Sequence, residues 1–353
     1  MNPAYGIFRN KRVLVTGDTG FKGSWLAYWL HYLGAKVYGF ALPPERDYDH
    51  YAALGLGNHI HHRDGDIREF TGVREFMKEI QPEFVFHLAA QPLVRKSYHE
   101  PKDTFDTNIG GTVNILEAVR LTPAVKVLVT ITSDKCYRNK EWCWGYREND
   151  ELGGKDPYSA SKAAAEIVFS AYQDSFFSDR LEFGAASVRA GNVIGGGDWS
   201  TDRIVPDCIR ALENNQPIEL RNPHATRPWQ HVLEPLSGYL LLASRMYENP
   251  RQYRGSYNFG PDNREIHTVN DVARELISVW GSGEITITKR DSDPPEAGLL
   301  HLNCDKAHHY LNWYPRWGFE KTVAQTAQWY KSVKEGENAE SVTRQQIIDY
   351  MGS

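Results

Sequence analysis

"RVLVTGDTGFKGSWLAYWLHYL" occupies residues 12–33, and its reading decides the fold. Residues 12–17 form an apolar run of strand length that stops at Gly17, and residues 23–33 carry the apolar spacing of an amphipathic helix. Between them stand Gly17, Gly20 and Gly23. Glycine permits the tight turn, and its missing Cβ lets backbone approach a pyrophosphate. The helix that follows offers unpaired N–H groups and the positive end of its dipole to that anion. The stretch therefore reads as strand, phosphate loop and helix of a dinucleotide-binding unit. Thr19, Phe21 and Lys22 share the loop with the glycines as candidate cofactor contacts.

Outward from this loop, strand-like and helix-like patterns alternate. Residues 35–41 read as a second strand, 74–80 as helix, 83–90 as a buried strand, 108–120 as helix and 126–132 as another buried strand. Alternation of this kind predicts βαβ units: a Rossmann-type, doubly wound parallel sheet. After about residue 190 the pattern changes, with "GNVIGGGDW" at 191–199 and helices over 204–215 and 234–249. The expected organisation is a dinucleotide domain over 1–190 and a smaller, mainly substrate-binding domain over 191–353, with later segments able to return to the first.

Parallel sheets bind ligands beyond the carboxyl ends of their strands. Leu88, Ala89 and Ala90 close one such end, and Asp66 and Ile67 follow another. Asp66 has two readings from its spacing: acceptor for an adenine amino group, or helix N-cap. The second strand runs into "VYGFALPPER" with no acid before Glu45, where a carboxylate usually meets the adenosine ribose. That leaves NAD and NADP both open at this level, with Arg46 close by.

The strand over 126–132 ends in Ser133, Asp134 and Lys135, an abrupt polar stop for a buried run. Further on, "DPYSASKAAAEIV" opens a helix with Asp156 as cap and Pro157 at its first position. Tyr158 and Lys162 are four residues apart, on one face of that helix. A phenol titrates near ~10 and is a poor base at neutral pH. A cation ~4 Å away contributes about 4 kcal/mol at an effective dielectric of 20, roughly three pKa units. Lys162 is therefore expected to bring Tyr158 toward neutral pH.

Composition narrows the partners. The 353 residues carry a net charge of −5 with no basic block, which argues against nucleic acid as a partner. No apolar run is long enough to span a bilayer. Cys136, Cys143, Cys208 and Cys304 show neither metal-ligand nor disulfide spacing, so reduced thiols and no metal are expected.

With the glycine loop, "HLAAQ" (87–91), Ser133, Tyr158, Lys162 and "VRAGNVIG" (188–195), the chain resembles the extended short-chain dehydrogenase/reductase superfamily over nearly its whole length. "TGDTGFKGSWL", "TSDKCY", "RAGNVIGGGDW" and "RPWQHVLEPLSGYL" make it similar to its nucleotide-sugar 4,6-dehydratases, within them to the branch acting on CDP-glucose. The resemblance implies NAD as cofactor, since the hydride is returned within the cycle. It implies that Tyr158 takes the proton of the sugar C4 hydroxyl, Ser133 holds the reacting oxygen, and Lys162 tunes Tyr158 and holds the ribose. Water then leaves across C5 and C6.

Related dTDP-glucose enzymes use an Asp–Glu pair for that elimination, where this chain has Asp134–Lys135. An acid Asp134 and a base Lys135 require a neutral pair, about 9 kcal/mol above the ion pair in water from pKa values of ~3.9 and ~10.4. Desolvation narrows that gap. Two alternatives are a charged Lys135 that stabilises the enolate and a simple strand-end salt bridge. Asn192, Arg203 and Arg227 are the implied diphosphate contacts, since guanidinium forks suit phosphate oxygens. The resemblance further implies a cytoplasmic homodimer built on helices 108–120 and 157–172, in deoxysugar synthesis such as that of lipopolysaccharide O-antigen. Rival readings are a nucleotide-sugar 4-epimerase, which needs no elimination pair, and a non-catalytic dinucleotide sensor, which needs no Tyr158.

Overall fold

The computed structural model describes residues 3–262, 267–288 and 299–353. Seven strands form one wholly parallel sheet: β1 (Arg12–Thr16), β2 (Lys36–Ala41), β3 (His61–Asp64), β4 (Phe84–His87), β5 (Val127–Ile131), β6 (Gly184–Ala190) and β7 (Gly255–Phe259). Their spatial order is β7-β6-β5-β4-β1-β2-β3. The order reverses between β1 and β4, where Thr16 pairs with His87. That is the switch point at which doubly wound sheets bind ligands, and Gly17 sits immediately beyond it.

Helix α1 (Phe21–Tyr32) starts two residues before the span read from the sequence, so Gly23 lies inside its first turn. It is not amphipathic: Gly23 through Leu30 are all buried. One side packs on the sheet. The other is covered by the C-terminal helix, α10 (Ala339–Gly352), with Trp29 edge-on to Tyr350 and Tyr28 Oη donating to Glu340. Trp25, Leu26, Trp29 and Leu30 are fully enclosed; each such burial stabilises by about 2–3 kcal/mol before ordering entropy is subtracted.

The opposite face of the sheet is covered by α2 (Phe70–Ile80), α4 (Gly111–Arg120) and α5 (Pro157–Tyr172), through Phe76, Met77, Leu116, Val119 and Phe169. A short helix, α3 (Val94–His99), packs on α5. Asp156 caps α5 by accepting from Ser159 N at 2.9 Å, with Pro157 in the first turn.

Residues beyond 190 build two things. The smaller lobe holds α6 (Ile204–Glu213), α8 (Val269–Trp280) and short strand pairs, Ile218–Leu220 with Ile285–Ile287 and Thr226–Arg227 with His267–Thr268. The remainder returns to the first half. β7 pairs with β6, and α7 (Leu233–Glu248) packs on β5 and β6. Helix α9 (Phe319–Lys334) packs on α8 and α10. The smaller lobe thus stands on the sheet with covalent connections on both sides of it.

Candidate active site

The carboxyl ends of β1, β4, β5 and β6 open into one cleft of about 2390 Å³. Pockets for a single small ligand measure ~300–1,000 Å³, so this one has room for two nucleotide-sized molecules. Every residue singled out above as a cofactor, catalytic or substrate contact lines it.

At the β1 end, Gly17 adopts φ +76°, in the left-handed region, and a Cβ there would stand 2.7 Å from Ala89 N. A Cβ on Gly23 would stand 2.0 Å from Gly17 O. The loop is thus pressed against the β4 end and against its own helix. Thr19 Oγ1 donates to Leu42 O at 2.9 Å and ties the loop to the end of β2. Helix α1 begins without a side-chain cap. A bare glycine cradle leading into uncapped helix N–H groups fits a dinucleotide pyrophosphate.

Asp66 does not cap a helix. It accepts from Arg68 N at 2.9 Å and from the Arg68 guanidinium, which holds its carboxyl below the ordinary range. The helix that follows has Glu69 at its N-cap. Of the two readings of Asp66, the N-cap is therefore excluded.

At the β5 end the polar stop has a structural cause. Ser133 caps a single turn, Asp134–Cys136, by accepting from Lys135 N at 3.2 Å, while its hydroxyl donates to Asp134 Oδ1 at 2.9 Å. Asp134 is 2% exposed, and its Oδ2 is buried without a hydrogen-bond partner. Among the described residues no ion pair joins Asp134 to Lys135, so the strand-end salt bridge is not what this triplet makes.

Tyr158 and Lys162 are both buried on α5, facing the Ser133 turn. Their titration departs from the expectation drawn from spacing. Burial pushes the phenol up to about 12; the Ser133 hydrogen bond pulls against it, Asp134 adds to the rise, and the opposing cation is Arg203. Burial also lowers Lys162 to about 8, with Glu166 and Cys136 holding it up. Desolvation outweighs the charge pair assumed for water-exposed groups.

Arg203, implied by the resemblance as a diphosphate contact, is the cation beside Tyr158. Its Nη1 donates to Asp198 Oδ2 at 2.8 Å, and that carboxylate raises its pKa against the effect of burial. Lys22 joins the same cluster. Burial, with Arg203 and Lys162 adding to it, brings its amine down to about 8, while Asp134 opposes. Asn192 lines the cleft, its carbonyl taken by Gln230 N at 3.1 Å. Arg227 lines it too and donates from Nη1 to Thr226 O at 2.7 Å.

Sequence reading missed Glu166. It lies four residues beyond Lys162 on α5 and is 2% exposed. It accepts from Arg189, Ser187 and Thr132, the residue before Ser133. Burial pushes its carboxyl up, but Arg189 and these donors bring it below the ordinary range. The available signal was the spacing Tyr158, Lys162, Glu166 on one helical face.

The profile of the GDP-mannose 4,6 dehydratase family matches residues 14–326. The CDP-glucose 4,6-dehydratase of Salmonella typhimurium is 46% identical over 98% of this chain and 98% of its own. Human GDP-mannose 4,6 dehydratase is 25% identical over 88% of each chain. Among solved structures, the dTDP-glucose 4,6-dehydratase of Bacillus anthracis in complex with NAD superposes with TM-score 0.76 at 22% identity, covering 92% of this chain and 98% of that one. The UDP-glucose 4-epimerase of Thermus thermophilus in complex with NAD gives TM-score 0.76 at 25% identity, covering 91% and 99%.

Proposed function

The chain belongs to the GDP-mannose 4,6 dehydratase family, and from that premise we propose that it dehydrates CDP-glucose to CDP-4-dehydro-6-deoxyglucose with NAD as a recycled cofactor. The observation that carries the reading is the convergence of Tyr158, Lys162, Ser133 and the Asp134–Lys135 pair beside the glycine loop in one cleft. The 46% identity to a CDP-glucose 4,6-dehydratase supports the choice of sugar nucleotide.

Gly17, Gly20 and Gly23, with the start of α1, would hold the pyrophosphate of the dinucleotide, and Lys162 its ribose. When bound, NAD would supply a reversible hydride acceptor for the hydrogen that leaves sugar C4 and returns to C6. Tyr158 takes the proton of the C4 hydroxyl, and Ser133 holds that oxygen in place. A phenol at about 12 releases its proton only with help, which the Ser133 hydrogen bond and the Arg203 cation supply. The resulting C4 ketone acidifies C5–H. Lys135 takes that proton and gives it back to C5 when C6 is reduced, and Asp134, enclosed and already bonded to Ser133, delivers one to the departing C6 hydroxyl, which leaves as water. That Asp134 Oδ2 is buried without a protein partner supports this role. Asn192, Arg203 and Arg227 meet the diphosphate.

We take the enzyme to act in the cytoplasm as a homodimer in deoxysugar synthesis, including that of O-antigen. Four unpaired cysteines agree with a reducing compartment. Ile167, 60% exposed on the outer face of α5, supports pairing through α4 and α5.

The test is a panel of CDP-, dTDP-, UDP- and GDP-hexoses with mass detection of one lost water. CDP-glucose deuterated at C4 should yield product with the label on C6. Inversion at C4 without loss of water would instead make this an epimerase, and nucleotide binding without turnover a sensor.

A further inference from the structure

Asp18 follows Gly17 in the glycine loop and has no part in the chemistry above, yet its side chain is wholly buried. It lies against β2, where a Cβ on Gly39 would stand 2.0 Å from Asp18 Oδ2. That same oxygen is 2.7 Å from Nδ1 of His62 on β3. On the other side of the ring, His62 Nε2 is 3.0 Å from Asp64 Oδ1. A carboxylate oxygen thus faces each ring nitrogen, and a neutral imidazole has a proton for only one of them. The arrangement calls for an imidazolium between two carboxylates. Tyr51, on the short helix His50–Ala53, lies beside the ring with centroids 5.4 Å apart.

The two carboxylates are not equivalent. The Asp64 side chain is 66% exposed and screened by solvent, whereas that of Asp18 is enclosed. Asp18 Oδ1 is buried without a hydrogen-bond partner. Burial pushes the Asp18 carboxyl up, and the bond and charge of His62 pull against it. Burial lowers His62, but Asp18 and Asp64 outweigh it and hold the ring above its ordinary value. Burial and both carboxylates raise the Tyr51 phenol to about 12, so it stays neutral while His62 titrates. Asp18 cannot shift alone: a Cβ on Gly23 would stand 3.0 Å from its Cα, and the next residue, Thr19, is tied to Leu42 O at 2.9 Å.

We propose that Asp18 and His62 are positioning residues for the dinucleotide: the protonated ring pins the glycine loop to β3 and offsets the Asp18 charge beside the pyrophosphate, so that loss of one proton loosens NAD. This deepens the reading of the loop as a dinucleotide site and rests on it. With the proton, Asp18, His62 and Asp64 together carry one negative charge; without it they carry two. The added charge falls on the enclosed side, where water screens it least. The bare N-terminus of α1 then faces two competing anions, the pyrophosphate and the Asp18 carboxylate.

The test is calorimetric titration of the full chain with NAD from pH 6 to pH 9, which needs no turnover. Lys22 and Lys162, both brought down to about 8, also lose charge in this range, so variants at position 62 isolate the effect. His62→Asn keeps an amide donor near the place of Nδ1 and carries no charge. It should bind NAD about three- to tenfold more weakly than wild type at pH 6 and equally at pH 9. His62→Lys keeps its charge through this range and should bind more tightly than wild type at pH 9 by a similar factor. Asp18→Asn should bind at least as tightly as wild type at pH 9. In nuclear magnetic resonance of isotope-labelled histidine, the His62 signal of the free chain, assigned by its loss in His62→Asn, should titrate above ~6.5 and fall in Asp18→Asn.

A pair that only supports the fold would weaken NAD by one factor at every pH. That constant ratio, equal affinity of wild type and His62→Asn at pH 6, or a His62 that titrates below ~6.5 overturns the proposal. If His62→Asn does not fold, Asp18→Asn and the wild-type histidine signals decide. If NAD binds with these variant effects but CDP-glucose is not converted, the pair stands and the dehydratase reading falls. If CDP-glucose is converted and the variants leave the pH dependence of NAD binding unmoved, the pair alone falls. A wild type that does not bind NAD overturns both.

Discussion

Arg189 and Glu166 are joined by a 2.7 Å ion pair in which neither side chain is more than 2% exposed. Arg189 Nη1 also donates to Tyr137 Oη at 2.6 Å and Glu148 O at 2.9 Å, and Glu166 accepts from Thr132 and Ser187. The pair therefore joins β6, the end of β5 and α5 directly behind the Ser133–Tyr158–Lys162 group. Glu166→Gln keeps the shape and removes the charge. Breaking a buried pair this way costs about 3–5 kcal/mol, read by denaturant unfolding. Lys162 also loses a charge that holds its pKa up, so the alkaline limb of the rate profile should move to lower pH. A stability loss with an unmoved limb would confine Glu166 to a structural part.

Lys22 lines the cleft, and desolvation brings its amine down to about 8. Between about 8 and its unfolded value near ~10.4 the unfolded chain holds the proton and the native chain does not. Native stability therefore rises with pH across that window as far as Lys22 is concerned. Lys22→Met should be more stable than wild type at pH 7, on the order of 1 kcal/mol, with the advantage fading toward pH 10. Activity should fall, because the amine stands beside Asp134, Lys162 and Arg203. Thermal unfolding at several pH values checks the first part and initial rates the second.

Tyr158→Phe removes only the phenolic hydroxyl. The rate should drop about 10²–10⁴-fold while the fold and dinucleotide binding persist. Far-ultraviolet dichroism, NAD titration and rates with CDP-glucose together measure this. Retention of activity would assign the C4 proton to another group.

Lys135→Ala separates the two halves of the reaction. Oxidation at C4 should still proceed in a single turnover, seen as reduced nicotinamide absorbance. Exchange of solvent deuterium into C5 should be lost. Exchange at the normal rate would remove Lys135 as the base and leave it as a charge that stabilises the enolate.

Glu234, which does not line the cleft, is raised to about 7 by burial, against hydrogen bonds from Tyr350 and from Trp317 and Arg316 backbone. Its Oε2 accepts from Tyr350 Oη at 2.7 Å and its Oε1 from Trp317 N at 2.7 Å, fastening α10 to α7. From about 4.5 to about 7 the native chain holds this proton and the unfolded chain has lost it, so stability declines with rising pH through that window. Glu234→Gln should flatten the decline, a change on the order of 2 kcal/mol between pH 5 and pH 8 relative to wild type. Urea midpoints at the two pH values test it.

The sheet, its loop and the Tyr158–Lys162 pair were legible because their signals are local. Apolar runs mark β1, β4 and β5, while the spacing of Gly17, Gly20 and Gly23 and the four-residue step from Tyr158 to Lys162 need no distant partner. β6 gave no such signal. Its buried run includes Ser187 and Arg189, which look like surface residues until Glu166 is known to face them. Helix α1 misled for a related reason: its second apolar face is covered by distant segments, with Trp25 stacked on His50 and bonded to Gly196 O and Tyr28 bonded to Glu340 of α10, more than 300 positions away.

Sequence by itself determined the fold class and the glycine loop between β1 and α1, and it singled out Ser133, Tyr158 and Lys162 as candidates, since a strand end and a four-residue helical step are read within a few residues. Tertiary structure alone decided what surrounds them. It set Arg203 as the cation beside Tyr158, drew Lys22 toward Asp134, and brought His62 onto Asp18. Those placements depend on which strand ends lie side by side and on how deeply each group is withdrawn from water. Desolvation is a property of the packed assembly, so no spacing along the chain reports it.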